Sequence, residues 1–463
     1  MAGKHVQTAH EKFLEASGRK AFDRAHRKII SYNIGCYDEA VRGGKAQFVN
    51  LEAARRRAAE KKHHVLEHLE DHLKAFEREF TSRGGRVIWA QDAEEARKAI
   101  LEIFEKHYVR QVVKSKSMVT EEIGLTRFLE KNGIDCLETD LGEYIIQITD
   151  DRPYHIVTPA MHLSAEDVAG VFHERFGLPA GSTPQEITAF VRNILREKFI
   201  KAHAAITGAN FLVSGTGSVA ITENEGNALM AVSFPKIHIA VAGIERVVSS
   251  LEDLDLFWPL LASHGTGQDI TAYNTVINGP RRQGEAGGPE QMFVILLDNG
   301  RSRLLSAIPQ RRSLSCIRCG ACLNACPIYR NIGGHAYGTV YTGPIGAIIS
   351  PHLSGNIREN IHLSHASSLC GKCTEVCPAG IDLHHQLLQN RHLSVRLGYP
   401  PRSERLGMKM VKKAMSNPGW LDKPPPAIKN FFARVLFGKA WGPGRVLPKV
   451  VNSFRRRYTK GER

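Results

Sequence analysis

Seven of the nine cysteines lie within 62 residues, in two blocks that each end in Cys-Pro. The blocks read Cys316-Ile-Arg-Cys319-Gly-Ala-Cys322-Leu-Asn-Ala-Cys326-Pro327 and Cys370-Gly-Lys-Cys373-Thr-Glu-Val-Cys377-Pro378. Three cysteines at intervals of three, a fourth after four residues and then a proline is the spacing of bacterial ferredoxins, whose thiolates hold iron–sulfur clusters. The chemistry that this spacing predicts is electron transfer through such clusters.

In two-cluster proteins the fourth cysteine of each run binds the other cluster. If the last cysteine of each block binds the cluster of the other block, the first cluster is held by Cys316, Cys319, Cys322 and Cys377. The second cluster is then held by Cys326, Cys370 and Cys373. We expect both clusters to be [4Fe-4S], the second with only three cysteine ligands.

The second block lacks one cysteine. Aligned on its terminal Cys-Pro, it has Ser367 where the first block has Cys316. Three thiolates fit a three-iron cluster, a four-iron cluster with a non-cysteine ligand, or a four-iron cluster with one open iron. An open iron acts as a Lewis acid toward a hydroxyl or carboxylate, whereas Ser367 or a nearby histidine would complete the coordination. We expect this cluster to face either the substrate or a partner's redox centre.

Zinc is the alternative metal for Cys-x-x-Cys pairs. Tetrahedral zinc uses two such pairs, whereas a run of three cysteines with a remote Cys-Pro favours clusters. The two cysteines outside the blocks, Cys36 and Cys136, are isolated. This usage indicates metal binding in a reducing compartment, because a disulfide framework spreads pairs along a small secreted chain.

A segment rich in glycine and aromatic residues separates the blocks. It is too long for the hairpin of a small ferredoxin, so it predicts a helical two-cluster domain whose insert covers one cluster. Two roles stay open for His335, Tyr337 and Tyr341. They tune a cluster or touch substrate through hydrogen bonds, or they belong to a packed loop whose glycines permit tight turns.

The region before the cysteines alternates strands and helices. Apolar runs predict strands at 86–90, 109–113, 134–138, 144–148, 210–213, 219–222, 229–234, 237–241 and 292–297. Helices are predicted at 92–107, at 121–131 and from 183, where Asp92 and Thr183 are N-cap residues with a glutamate three positions later. Strands that alternate with helices predict an α/β domain with a largely parallel sheet covered on both faces.

A helical pattern precedes this domain, with apolar residues spaced three or four apart. They form one stripe and predict a packing helix: Leu66, Leu69, Leu73, Phe76 and Phe80. Four adjacent histidines lack a supporting carboxylate or cysteine pattern and are placed on its solvated face: His63, His64, His68 and His72.

Three polar, glycine-containing loops follow the strands, at 215–218, 222–227 and 264–269. Loops at the ends of sheet strands are where an α/β domain places a ligand. None of the three matches a phosphate-binding loop or the three-glycine dinucleotide fingerprint. They are either ligand-binding loops or structural turns.

The net charge of +15 is concentrated at the C-terminus. Residues 401–463 contain 16 Lys and Arg against 3 Asp and Glu, which places 13 of the 15 charges in the last 63 residues. We interpret this tail as a docking segment for partner subunits or an anionic membrane surface. Nucleic-acid binding is the alternative, since interleaved aromatics stack on bases: Phe431, Phe432, Phe437, Trp441, Phe454 and Tyr458. We do not favour nucleic acid, because no nucleic-acid-binding fold is visible.

The first twelve residues are polar and charged, without the apolar region of a signal peptide. No uninterrupted apolar run reaches the roughly 18 to 20 residues that a spanning helix needs. At 42% hydrophobic residues, 463 residues are ample for two or three domains with cores of their own. We therefore expect a cytoplasmic protein, either free or peripheral to the inner face of the membrane.

Several motifs, together with the cysteine blocks, resemble those of the lactate utilization iron–sulfur protein B family. They are Lys114-Ser-Lys-Ser-Met118, Glu138-Thr-Asp-Leu-Gly-Glu-Tyr144-Ile-Ile-Gln147, His155-Ile-Val, Pro159-Ala-Met-His162 and the Gly-Gly-His-Ala-Tyr-Gly insert. The resemblance covers roughly residue 60 to the end of the chain. Members of this family are B subunits of a three-component system that oxidises L-lactate to pyruvate.

The resemblance implies a lactate-utilization α/β domain, related to the CoA-transferase and sugar-isomerase-like fold, before an α-helical dicluster ferredoxin domain and a basic C-terminal tail. We expect an N-terminal helical segment at 1–68, the α/β domain at 69–300, the two-cluster domain at 301–395 and the basic region at 396–463. The implied partners are a cysteine-rich A-type subunit and a C-type subunit. The implied cluster ligands are the same seven cysteines, and no catalytic base is implied.

The predicted function is electron transfer within an oxidoreductase rather than stand-alone catalysis. Oxidation of a 2-hydroxy acid releases two electrons and a cubane cluster accepts one, so two clusters form a relay away from the oxidation centre. One alternative is the cluster-carrying subunit of another 2-hydroxy acid or glycerol 3-phosphate oxidoreductase. An alternative of another class is a nucleic-acid-binding iron–sulfur protein.

Overall fold

The computed structural model describes residues 7–417, 419, 423–437, 447–451 and 458. The chain divides into two compact units, the first ending at Leu393 and the second beginning at Ser394. The described part contains no helix that is both long enough and apolar enough to cross a membrane.

The first unit is built on a six-stranded sheet whose neighbouring strands all pair in parallel. Across the sheet the strands are β1 (Arg86–Ala90), β10 (Gln291–Leu297), β7 (Ile237–Gly243), β4 (Ala204–Gly208), β2 (Gln111–Lys114) and β3 (Asp135–Glu138). The prediction of an α/β domain with a parallel sheet is confirmed. Strand β4 was not predicted, although it lies near the centre of the sheet.

Helices cover both faces of this sheet, because its strands are apolar on both sides. In β10, Phe293 and Ile295 pack in one core with Phe104, whereas Val294 and Leu296 pack in another core with Phe76 and Phe80. The predicted apolar stripe is buried. It belongs to two helices, α3 (Leu51–Glu67) and α4 (Leu69–Ser82), which meet at His68.

The chain between the strands forms helices α5 (Ala93–Lys106), α6 (Met118–Glu122), α7 (Leu125–Lys131), α8 (Leu141–Ile148), α9 (Ala165–Phe176), α10 (Pro184–Lys201) and α11 (Asn227–Ser233). Two of them begin at the side-chain caps that the sequence predicts. Asp92 accepts hydrogen bonds at the start of α5, and Thr183 forms a capping box with Glu186 at the start of α10. The helix predicted at 121–131 is interrupted by Gly124, which adopts a left-handed conformation.

Two of the predicted strands are helices. Residues 144–148 lie in α8, where Asp140 accepts a hydrogen bond from the backbone N–H of Glu143. Residues 229–234 fall largely in α11, where the carboxylate of Glu223 accepts from the N–H groups of Ala228 and Leu229. Both predictions were wrong because a short apolar run alone does not separate a buried strand from a buried helix, and the acidic caps decide.

The first unit also contains a second sheet, which has four strands. This sheet contains β8 (Val247–Val248), β5 (Phe211–Val213), β6 (Ser218–Glu223) and β9 (Tyr273–Ile277), in that order. Helix α12 (Leu254–Gly265) contributes Phe257 and Leu260 to the core against this sheet. The loop that leaves β6 reaches the carboxyl edge of the parallel sheet.

The cysteine region is helical, as predicted. Its α-helices are α13 (Arg301–Ser306), α14 (Ala321–Ala325), α15 (Tyr329–Ile332), α16 (Gly343–Leu353), α17 (Ile357–Asn360), α18 (Lys372–Glu375) and α19 (Leu383–Arg396). Short 3₁₀ helices occupy Arg311–Ser315, His335–Tyr337 and Ile361–His365.

The weakly patterned N-terminus forms two helices, α1 (Ala9–Phe22) and α2 (Arg24–Lys45). In α2, Ile30 and Ile34 are fully buried in one core with Cys322 and Cys326, so this segment helps to enclose the cysteines.

In the second unit the structure describes helices α20 (Arg402–Met415) and α21 (Pro426–Phe437). Exposed apolar side chains on α20 include Leu406, Met408 and Met410. Of the tail aromatics, Phe431, Phe432 and Tyr458 are exposed, the Phe437 side chain is not described, and Trp441 and Phe454 lie outside the described residues.

His238 of β7 makes the stability of the first unit sensitive to acid. Its Nε2 pairs with Thr207 Oγ1 (2.8 Å), and burial lowers its pKa from 6.5 to about 3. As pH falls from 6.5 toward 3, only the unfolded chain binds this proton, so unfolding free energy is lost at about 1.4 kcal/mol per pH unit. Above pH 6.5 the histidine contributes no pH dependence.

We expect that, between pH 6.5 and 5, the free energy of unfolding falls by about 2 kcal/mol less in His238→Gln than in the wild type. Glutamine keeps a hydrogen-bond partner for Thr207. Urea unfolding at several pH values measures this difference. The exposed His392→Gln is the matched control and should behave as wild type. An unchanged acid dependence in His238→Gln contradicts the prediction.

Candidate iron–sulfur centre and adjoining cavity

The two cysteine blocks begin with the same backbone turn. In the first block, Arg318 has a φ of 63° and its N–H donates to Cys316 Sγ (3.4 Å). In the second block, Leu369 has a φ of 55° and its N–H donates to Ser367 Oγ (3.1 Å). Ser367 therefore takes the place of Cys316 in space as well as in the aligned sequence.

The repeat continues beyond this turn. Gly320 and Gly371 follow in left-handed conformations, with φ values of 81° and 82°, and each precedes a short helix, α14 or α18. Non-glycine residues rarely adopt this conformation, so each block needs glycine immediately after its Cys319 or Cys370. The two blocks are copies of one structural unit that differ by a single thiol.

Four cysteines of the proposed first cluster line one enclosed cavity, together with Ile317, Pro378 and Ile381. These cysteines are Cys316, Cys319, Cys322 and Cys377. The N–H of Ile381 donates to Cys377 Sγ (3.4 Å). Burial, aided by the neighbouring thiols, raises the pKa of Cys377 to about 11 and raises that of Cys322. The thiols stay protonated until a metal displaces their protons.

The other three cysteines form a second group. Burial raises the pKa of Cys373 to about 12, and Cys326 and Cys370 add to this effect. Cys326 and Cys373 are buried, whereas Cys370 is exposed. Nearby, the carbonyl oxygen of Ser367 accepts a hydrogen bond from Arg391 (2.6 Å). The second group is thus open to solvent on one side.

The donor sets of both groups suit iron–sulfur clusters. Thiolates are the ligands that hold such clusters, and hydrogen bonds to sulfur adjust their reduction potentials. The first group offers four thiols and N–H···S hydrogen bonds, and the second offers three thiols with a serine in the matching turn. The assignment of individual cysteines to clusters stays a prediction.

A buried ion network joins the end of the parallel sheet to the first cysteine block. Arg301, whose side chain is 1% exposed, donates from Nη1 and Nη2 to Glu122 (2.9 and 2.7 Å). Its Nε donates to Glu245 (2.6 Å), which also accepts from Arg318 Nη2 (3.4 Å). Burial opposes ionisation of Glu245, but Arg301 and then Arg318 lower its pKa to about 2. The carboxylate is therefore charged at neutral pH.

The insert between the blocks contributes to this network. Tyr341 donates from Oη to Glu122 Oε2 (2.6 Å), and the Arg318 guanidinium lies 4.6 Å from the centre of the Tyr341 ring. Tyr337 is buried, and its Oη has no hydrogen-bond partner among the described residues. Tyr341 thus connects the insert to the first cysteine block.

His335 lies in a separate cluster with Asp151 and His162. Its Nε2 contacts the carbonyl oxygen of Arg152 (2.6 Å), and His162 Nε2 lies 3.1 Å from Asp151 Oδ2. The side chains of His162 and His335 hold the pKa of Asp151 at about 2 despite its partial burial. This cluster ties the insert to the loop that follows α8.

The motifs that carry the family resemblance also meet around the cysteines. The ring of His155 packs against Gly320, where an added Cβ would lie 3.0 Å from His155 Cε1. Burial lowers the pKa of His155 to about 3, so the ring is neutral. At the end of β2, the fully buried Lys114 pairs with Glu138 (2.5 Å) and Glu121 (3.3 Å).

A cavity of about 380 Å³ opens at the carboxyl ends of β2, β4 and β7, where parallel sheets place ligands. Cys319 and Arg318 of the first cysteine block form part of its wall. Residues of the loops at 222–227 and 264–269 also line it. The third predicted loop has a packing role, because Gly217 lies directly against α4.

Sequence reasoning missed the charged residues of this cavity. Lys116 follows β2, Glu245 and Arg246 follow β7, and Arg301 begins α13. Apart from the adjacent Glu245 and Arg246, they are separated by tens to hundreds of residues and form no spacing pattern. The signal that was available is their position within five residues of the end of a predicted strand.

The matching family models agree with this architecture. Residues 73–297 match the LUD domain, and residues 312–381 match the 4Fe-4S dicluster domain. The fold and the cysteine groups therefore define a protein that joins a LUD domain to an iron–sulfur dicluster domain.

Curated relatives cover most of the chain. Lactate utilization protein B of Bacillus pumilus (strain SAFR-032) is 44% identical over 83% of this chain and 82% of its own length. Lactate utilization protein B of Bacillus cereus (strain AH820) is 45% identical over 85% and 84%. The uncharacterized electron transport protein YkgF of Escherichia coli (strain K12) is 45% identical over 87% of this chain and 82% of its own length. The chain belongs to the lactate utilization protein B family.

A solved structure of a DUF162 family protein from Deinococcus radiodurans also aligns. It is 16% identical and covers 50% of this chain and 98% of its own, with a TM-score of 0.28. That score is too low to support a statement about the fold. The relation to a CoA-transferase or sugar-isomerase-like fold stays a prediction.

The matching turns at Cys316 and Ser367 generate a prediction about the second group. We expect Ser367→Cys to supply a fourth thiolate in the position that Cys316 has in the first block. A cluster with four thiolates should resist oxidative loss of an iron. After mild oxidation, the EPR signal of a three-iron cluster should therefore be several-fold weaker in Ser367→Cys than in the wild type.

The control is Ser368→Cys, which places a thiol one residue away in the same loop. It should leave the signal of the wild type unchanged. Equal three-iron signals in Ser367→Cys and Ser368→Cys would contradict the equivalence of Ser367 and Cys316.

Proposed function

We propose that this chain is the iron–sulfur electron-transfer subunit of a multi-subunit L-lactate utilization system. Membership of the lactate utilization protein B family and the match to a 4Fe-4S dicluster domain support this function. The observation that carries it is the pair of cysteine groups, one of four thiols around a single cavity and one of three. Oxidation of L-lactate to pyruvate releases two electrons, and two one-electron centres accept them in sequence.

The surroundings of the two groups support a proposal for the direction of electron flow. Cys319 of the first group borders the large cavity at the sheet edge, whereas Cys370 of the second group is exposed. We infer that electrons enter at the first cluster and leave through the second. The three-thiolate cluster then faces the partner's redox centre, which is one of the two roles expected from the sequence, and the complete cluster faces the cavity.

In this proposal Cys316, Cys319, Cys322 and Cys377 hold the first cluster. Cys326, Cys370 and Cys373 hold the second. Both are [4Fe-4S] clusters when complete, and each supplies reversible one-electron transfer. The residues around the first group would bury its cluster, the backbone N–H of Arg318 would donate to sulfur, and the side chains of Arg246 and Arg318 would help to balance the negative charge.

The proposed domain roles follow the four segments expected from the sequence. The N-terminal segment at 1–68 helps to enclose the clusters, and the α/β domain at 69–300 forms most of the cavity. The two-cluster domain at 301–395 conducts electrons. The basic region at 396–463 binds a partner subunit or a membrane surface. Helix α20 combines exposed methionines with basic side chains, which suits an A-type or C-type subunit or an anionic membrane surface.

Cysteine substitution tests the cluster assignment. We expect anaerobically prepared wild type, reduced with dithionite, to give the EPR signals of reduced [4Fe-4S] clusters. Cys319→Ser should lose the first cluster and about half of the iron, because Cys319 belongs to the four-thiol group. Cys36→Ser removes an exposed cysteine outside both groups and should keep the iron and the signals of the wild type.

Two results would contradict the proposal. One is wild-type protein with no EPR signal after reduction. The other is stoichiometric zinc in place of iron, because the zinc ion is not redox-active.

A further inference from the structure

The end of the large cavity that borders the first cysteine block has an excess of positive charge. Three guanidinium groups line it, those of Arg246, Arg301 and Arg318. Two carboxylates oppose them, Glu122 and Glu245, and Arg301 alone binds both. The three guanidinium groups of this network therefore exceed its two carboxylates by one positive charge, which acts on the first cysteine group as well as on the cavity.

Arg318 carries a donor that the protein does not satisfy. Its Nη1 is shielded from solvent and has no hydrogen-bond partner within the described part of the chain. Its Nη2 reaches Glu245 at 3.4 Å, and its guanidinium lies over the ring of Tyr341. A buried, unpaired donor on a charged group is costly, and an anion in the cavity would remove this cost.

Arg246 lies beside this donor on the cavity wall. It donates to the carbonyl oxygens of Ala209 (3.4 Å) and Cys316 (3.3 Å), which are long, weak hydrogen bonds. The two arginines face the same cavity from different segments, the turn after β7 and the first cysteine block. This pair suits a carboxylate, which accepts hydrogen bonds from guanidinium groups.

The rest of the cavity wall disfavours a second negative charge. Asp140, Glu223 and Glu225 line it and outnumber Lys116, and burial together with Asp140 raises the pKa of Glu225 to about 7. Burial and neighbouring carboxylates, which oppose ionisation of Glu225, oppose a second negative charge on a ligand for the same reasons. Thr222 and Thr271 add hydroxyl groups that bond to each other and to Asn274 Oδ1, and their oxygens keep a lone pair for a ligand hydroxyl. The wall thus favours a ligand with one negative charge and at least one hydroxyl.

We propose that this cavity binds a small 2-hydroxy monocarboxylate, with its carboxylate on Arg318 and Arg246 next to the first cluster. The inference rests on the proposed function and deepens it, because it places a lactate-type molecule on this chain rather than on a partner. The α/β domain then has a binding role, with the ligand held between the sheet edge and Cys319. Arg318 and Arg246 are binding residues in this account, and no bond is made or broken by them.

Arg55 provides a matched control for Arg246. Its Nε donates to the carbonyl oxygen of Cys377 (3.0 Å), as Arg246 donates to that of Cys316. Both arginines therefore carry a positive charge to a cysteine of the first group. Arg55 is not among the residues that line the cavity. Loss of either charge should shift the cluster potential, whereas only loss of Arg246 should affect ligand binding.

The test is isothermal titration of the cluster-loaded full chain, kept anaerobic, with L-lactate, propionate and inorganic phosphate. We expect L-lactate to bind, propionate to bind at least tenfold more weakly because it lacks the hydroxyl, and phosphate to bind more weakly still. Arg246→Gln should weaken L-lactate binding at least tenfold. Arg55→Gln should change it less than twofold.

Iron content and circular dichroism of each variant show that it is loaded and folded. Absence of L-lactate binding to loaded wild type overturns the inference, and so does equal weakening by Arg246→Gln and Arg55→Gln, which would mean that both arginines only balance the cluster charge. Tighter binding of phosphate than of L-lactate also overturns it. EPR spectra of the same samples separate the two proposals, because clusters that are present and reducible support electron transfer even where L-lactate does not bind.

Discussion

The buried pairing of Arg301 with Glu122 and Glu245 is the interaction on which the arrangement of the site depends. These three residues come from α13, α6 and the turn after β7, so one guanidinium fixes three segments of the chain. Gly243 permits this approach, because a Cβ there would overlap both Glu245 and Arg301. Removing one partner would leave a buried charge uncompensated, at a cost of about 3 to 5 kcal/mol. The network therefore holds the cavity and the first cysteine block in a fixed relation.

This constraint has a functional consequence. Glu245 binds Arg301 on the sheet side and Arg318 on the cysteine side, so the wall of the cavity is also the wall of the first cysteine group. A ligand at Arg318 would lie next to the group that accepts electrons, and its charge would act directly on that group. In the proposed path, electrons leave through the second cysteine group, whose Cys370 is exposed. The proposal thus gives the two cysteine groups unequal roles, with the four-thiol group next to the cavity.

The sequence predicted what depends on local spacing. The cysteine blocks, the caps at Asp92 and Thr183, and the apolar stripe of α3 and α4 all follow from residues that are close along the chain. The cavity did not follow, because Lys116, Arg246 and Arg318 meet only after the sheet has formed. Residues 144–148 and 229–234 were assigned to the wrong element because burial hides periodicity in short apolar runs.

The most direct test is lactate-dependent cluster reduction in the assembled lactate utilization system, purified anaerobically together with this chain. Freeze-quenched EPR samples taken after addition of L-lactate report the redox state of each cluster. We predict that both clusters become reduced as pyruvate forms, that the first cluster is reduced before the second, and that propionate reduces neither. Formation of pyruvate while both clusters stay oxidised would contradict electron transfer through this chain.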